Sequence, residues 1–93
     1  MATVVKTDGT TIEVTPKNQK GFTFKEIKEH LDFPSSYSLQ LVPMQIDNIL
    51  LVCDEDGRIH QLAPNKLATM KTQGQVLGSI VGNAFFCDMD EIQ

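Results

Sequence analysis

The sequence predicts an α+β fold: one small domain in the order ββαβββαβ, with a mostly antiparallel sheet and both helices on one face. Three observations predict it. Two short β-prone runs flank Asp8-Gly9, a complete helix-start signal opens at Thr23, and two late runs are apolar on both faces.

Val4-Val5-Lys6-Thr7 and Thr10-Thr11-Ile12-Glu13-Val14 read as the first hairpin, with Asp8-Gly9 as a two-residue turn that needs φ > 0 at both centres. That turn places Val5 opposite Ile12 and Thr3 opposite Val14 on an apolar face, leaving Val4 and Glu13 on the wetter one. Pro16 ends the second strand, and residues 17–21 form a polar loop. Thr23 and Glu26 then supply the capping box, and Phe22 with Ile27 the hydrophobic staple. Phe24, Ile27 and Leu31 follow at i, i+3, i+7 as one core-facing stripe. Pro34 stops the helix at about Leu31, because a residue before proline avoids the α region.

Tyr37, Leu39 and Leu41 alternate with Ser38 and Gln40, a half-buried strand that Pro43 closes. Ile49-Leu50-Leu51-Val52-Cys53 is apolar on both faces and reads as an interior strand. The acidic turn Asp54-Glu55-Asp56-Gly57 leads into Arg58-Ile59-His60-Gln61-Leu62, read as a further strand. A four-residue loop pairs Ile59 with Val52 and a three-residue loop pairs it with Cys53; the sequence leaves both open. Pro64 suits the first turn of a short helix, with Leu67, Ala68 and Met70 as its apolar face and Gly74 as its end. Gly78 opens the last strand, Ser79 to Cys87, in which Gly82 invites close approach by another group. Residues 88–93 read as a frayed acidic tail of a single domain spanning 1–93.

The chain has 93 residues and 41% apolar content. At this length folding buries about 60–65% of the surface the unfolded chain exposes, which implies a stability of roughly 5–10 kcal/mol. No apolar run approaches the roughly 20 residues needed to cross a bilayer. Met1-Ala2-Thr3-Val4-Val5-Lys6 reads as a strand and not as a leader, so no membrane association and a cytoplasmic location are expected. Cys53 and Cys87 end apolar runs, which suits buried free thiols. Residues 1–31 carry a net charge of +1 and residues 32–93 a net charge of −5, with Arg58 the single arginine. Phosphate neutralisation dominates nucleic-acid affinity and Arg is its preferred base reader, so the composition argues against DNA or RNA as a partner.

Asp54-Glu55-Asp56-Gly57, then Leu62, Pro64, Asn65, Ala68 and Thr69, then Ile80-Val81-Gly82 follow one another at short intervals. In this order the chain resembles a family of small domains of unknown function carried by bacteriophages and plasmids. Two positions depart from that family's pattern. Phe33-Pro34-Ser35-Ser36 stands where the family often has a Gly-Gly pair, and Asp54 where it often has Asn. The family carries no assigned catalytic residues, so the resemblance implies a context only: an accessory protein of a phage or mobile element, acting in a host cytoplasm.

The candidate contact residues are Asp54, Glu55, Asp56, Arg58, His60, Asn65 and Lys66. A calcium loop needs alternating ligands and a closing Glu, whereas position 59 is Ile, so the acids read as a hairpin turn and no metal is expected. Asp54 is placed to approach His60 across the hairpin, yet no serine or cysteine elbow accompanies the pair. His30 sits near a helix C-terminus, where a cation is favoured. Asn65 reads as a helix cap or loop clamp, and otherwise as a ligand contact at the mouth of the short helix.

These observations name no reaction. The first expectation is a non-enzymatic protein without a cofactor that binds a host protein, such as a component of a defence system. The alternative is a small-molecule sponge that holds a nucleotide-like ligand between subunits of a homo-oligomer through Arg58, His60, Asn65 and Lys66. A metal-dependent hydrolase built on the acidic turn ranks last.

Overall fold

The computed structural model describes residues 2–17, 19–44, 48–72 and 79–92. Five strands form one antiparallel sheet: β1 (Ala2–Val5), β2 (Thr11–Val14), β3 (Leu39–Pro43), β4 (Ile49–Asp54) and β5 (Ala84–Asp88), in the order β2-β1-β5-β4-β3. Helices α1 (Phe24–His30) and α2 (Lys66–Lys71) complete the α+β fold, with a short 3₁₀ turn at Met89–Glu91.

The two helices lie on opposite faces, not on one. Ile27 and Leu31 pack with Val4, Leu50, Val52, Phe85 and Cys87. Ala68 of α2 packs with Val5, Leu51, Cys53, Ala84 and Phe86. The cause lies in β4 and β5. Both are apolar at successive positions, successive side chains point to opposite faces, and each face therefore needs its own cover.

The first hairpin is one residue out of the expected register. Val4 faces Ile12 and Thr3 faces Glu13, because Lys6 N–H donates to Thr10 O and the loop holds Thr7, Asp8 and Gly9. Only Gly9 of these has positive φ, at 91°, so the chain makes the three-residue loop with a glycine bulge in place of the two-residue turn. Val4, expected on the wetter face, becomes core.

Thr23 caps α1 by accepting the Glu26 N–H at 3.1 Å. The Glu26 carboxylate, itself buried, accepts the Lys17 N–H at 3.1 Å and so ties the preceding loop to the helix. Phe24 is 48% exposed, so the core stripe is Ile27 and Leu31 alone. The helix closes with Phe33 N–H on Lys28 O and Asp32 N–H on Glu29 O, with Asp32 at φ 61° where glycine is the usual choice.

Pro43 is the last residue of β3. The bonds Met44 N–H to Ile49 O and Glu55 N–H to Ser38 O fix the alternation, so Leu39, Leu41 and Pro43 turn their main-chain groups away from β4. An outward position is one where proline costs no ladder bond, and it blunts this edge.

Two further expectations change. The last strand begins at Ala84, since Gly82 at φ 79° breaks the extended run; its N–H donates to Ala63 O, and a Cβ there would meet Leu62. The C-terminal segment is docked instead of frayed. Phe22 N–H donates to Glu91 O, Phe22 pairs with Ile92, and Gly21 leaves the space that the Glu91 backbone fills. The helix end expected at Gly74 and the strand start expected at Gly78 lie outside the described residues.

Candidate functional site

Residues 55–61 form turns, so the strand expected at 58–62 is absent. In its place the chain makes a single helical turn with a cap at each end. Asp54 starts it: Oδ1 accepts the Asp56 N–H at 3.0 Å. His60 N–H donates to Asp56 O at 2.9 Å, and Leu62 N–H to Gly57 O at 3.1 Å. Gln61 N–H donates to Arg58 O, and Gln61 takes φ 57°. This is the bond pattern of a helix C-terminus with glutamine at the left-handed position.

The other oxygen of Asp54 lies 2.6 Å from His60 Nδ1. The Asp54 side chain has no exposed surface, while His60 keeps about a quarter of its own. The His60 ring stacks on Tyr37, centroids 3.8 Å apart and planes 9° apart. Glu55 N–H donates to Ser38 O, which joins the start of the turn to the segment entering β3. Gly57 is buried against Val81, whose Cγ2 stands 2.5 Å from where a Cβ would sit. Asp54 and His60 therefore meet as the sequence suggested, but through a helical turn and not across a hairpin.

What this frame presents is apolar. Ile59 is 78% exposed, with Arg58 and Glu55 exposed beside it. A groove of about 390 Å³ runs alongside, lined by Gln40, Val42, Cys53, residues 54–59 and residues 79–81. Ser79 also borders a neighbouring hollow with Lys66, Thr69 and Met70, and Met70 is 73% exposed. Ile59, expected to pair in a strand, and Met70, expected on the apolar face of the short helix, are both exposed instead, and nothing in their local sequence signals it. The informative signal was Asp54-x-Asp56, an aspartate two residues before an N–H it can accept.

Asn65 is a clamp. It is buried, and its Oδ1 caps α2 by accepting the Ala68 N–H at 3.0 Å. Its Nδ2 donates to Val5 O at 2.8 Å and to Gly82 O at 2.9 Å, joining β1, α2 and the approach to β5. Pro64 precedes this cap and bridges Val81, so it stands before the helix instead of inside its first turn. The proposed ligand set is not gathered: Arg58 borders the larger groove, Asn65 and Lys66 border the hollow, and His60 is engaged by Asp54 and Tyr37. Asn83 likewise serves the backbone, accepting from Thr7 N–H and donating to Leu31 O.

Cys53 and Cys87 are free and belong to opposite faces of the sheet. Burial pushes the Cys53 thiol up to about 11, with the Asp54 charge adding to it. Burial pushes Cys87 up to about 12, with Glu91 and Asp88 adding. Neither is disposed to act as a thiolate near neutral pH. Among the described residues no three His, Cys, Asp or Glu side chains group as metal ligands would. Nor is any described helix long and apolar enough to cross a membrane.

Fold and site together define a small α+β domain that holds an apolar-tipped turn, hydrogen-bonded at its base, beside one edge of its sheet. The chain belongs to a family described as a domain of unknown function (DUF3846), whose model matches residues 2–93. Comparison with curated proteins and with solved structures found no match.

Proposed function

We propose that this domain is a non-enzymatic accessory protein of a phage or mobile element that binds a host protein in the host cytoplasm and blocks a defence component. The observation that carries the reading is Ile59, 78% exposed at the tip of a turn whose base is pinned by the 2.6 Å Asp54–His60 contact. An exposed isoleucine contributes about 1.5–3 kcal/mol when an interface covers it. Because the turn is already fixed, little ordering cost offsets that gain. Arg58 and Glu55 supply a polar rim, and the adjoining groove gives a partner side chain somewhere to seat. The buried Asp54 carboxylate, occupied by His60 and the Asp56 N–H, supports a positioning part for the acidic turn.

Tagged protein incubated with host lysate is expected to retain one partner at stoichiometric level. Ile59→Asp is expected to lose that partner while keeping the parent's thermal midpoint. Recovery of no stoichiometric partner, or equal retention by Ile59→Asp, would remove the proposal.

A further inference from the structure

We infer that two copies of this chain pair through the β2 edge, antiparallel and centred on Ile12, to form one continuous sheet. The two edges of the sheet differ. At β3 the outward position 43 is proline, which has no N–H to offer a neighbour. At β2 no such block exists: Thr11-Ile12-Glu13-Val14 contains no proline. The Lys6 N–H to Thr10 O bond sets the alternation, so Ile12 and Val14 bond toward β1 while Thr11 and Glu13 turn both main-chain groups outward. Thr11, Ile12 and Glu13 are all exposed, and Ile12 is 41% exposed on the face where Val4 is core.

Side-chain chemistry selects the occupant and the register. Outward-facing residues must meet outward-facing residues for the ladder to close. Pairing Thr11 with Glu13 of the second copy satisfies both bonds of each pair and brings the two Ile12 side chains together across the axis. A shift that sets Glu13 opposite Glu13 places like charges face to face, which is destabilising. The opposite shift sets Glu13 against the Gly9 bulge. In the favoured register the two Glu13 residues stand about 7 Å apart along the strands. The edge also lies in the first third of the chain, residues 1–31 with net charge +1, while residues 32–93 carry −5. Because β2 and β3 are opposite ends of the sheet, such a dimer leaves both Ile59 turns free.

Sedimentation equilibrium of the full chain at concentrations up to about 1 mM tests the pairing, with expected affinity in the micromolar to sub-millimolar range. Glu13→Pro removes an outward N–H without touching the β1 ladder and is expected to weaken the dimer by about tenfold or more at an unchanged thermal midpoint. Ile12→Lys is expected to do the same by apposing charges. Ile12→Cys is the register test. Residues opposed at a non-hydrogen-bonded pair stand about 4.5 Å apart at Cα, within disulfide range, so mild oxidation is expected to yield a covalent dimer. Thr11→Cys and the parent chain are expected to stay monomeric in the same assay. A chain that remains monomeric at about 1 mM overturns the inference. So does a dimer of parental affinity in both Glu13→Pro and Ile12→Lys, or cross-linking by Thr11→Cys and not by Ile12→Cys.

Discussion

Two turns in this molecule use the same chemistry and differ in what holds them. In the first, Asp8 Oδ1 accepts the Thr10 N–H at 2.8 Å, and Gly9 supplies the left-handed residue. In the second, Asp54 Oδ1 accepts the Asp56 N–H at 3.0 Å, and Gln61 takes the left-handed position. Asp8 lies in solvent, whereas Asp54 is buried against His60, whose ring stacks on Tyr37. One turn is a local event. The other is a local signal made rigid by burial, and only that one presents an exposed apolar residue.

Replacing the two aspartates gives the largest separation. Asp54→Ala leaves the His60 ring and the Asp56 N–H without their acceptor, and a loss of about 2–4 kcal/mol is expected in urea unfolding. Asp8→Ala, which removes only a solvent-exposed acceptor, is expected to lower the urea midpoint slightly and far less than Asp54→Ala. Equal effects would mean that burial is not what distinguishes the turns.

The glycines follow. Gly57→Ala drives a methyl against Val81, and an overpacking cost of about 1–3 kcal/mol is expected. Gly9→Ala meets open space, so its cost of about 1 kcal/mol is conformational, from φ 91° alone. A Val81→Ala background is expected to rescue the first and leave the second unaltered, as thermal unfolding of the double variants would show.

Gln61→Gly and Asp32→Gly place glycine where φ is 57° and 61°. Each is expected to raise stability by about 0.5–1 kcal/mol, read as a higher urea midpoint. A decrease at position 61 alone would point to a contact made by the glutamine side chain.

The smallest effect concerns pH. Hydrogen bonds from the Thr10 side chain and backbone hold the Asp8 carboxyl below its ordinary 3.8. A carboxylate with a lowered folded value contributes stability that is present above its unfolded value and lost as pH falls through the folded one. Unfolding curves of the parent chain and Asp8→Asn are therefore expected to separate slightly above about pH 4 and to converge as pH falls through the lowered folded value.

Much of the fold was legible because its signals are short-range. The Thr23 cap, the stop near Leu31, the two-faced runs of β4 and β5 and the Asn65 cap all depend on residues within a few positions of each other. The strand expected at Arg58-Ile59-His60-Gln61-Leu62 failed for a definite reason. Its two apolar residues, Ile59 and Leu62, stand three apart and not two, and the buried Asp54 carboxylate offered acceptors to Asp56 and His60 that a strand could not use. The site was legible in its acids and His60 and hidden in Tyr37 and Ile59, whose roles depend on the turn already being closed.

Residue order alone determined the helix caps, which segments are helix or strand at the strongest signals, and that both faces of two strands need cover. Tertiary structure alone decided the placement of the helices on opposite faces, the docking of the C-terminal turn on Gly21, and which apolar side chains stay in water. The physical reason is reach. Hydrogen bonds between near neighbours are fixed by local sequence, while burial depends on which distant surfaces arrive to exclude the solvent.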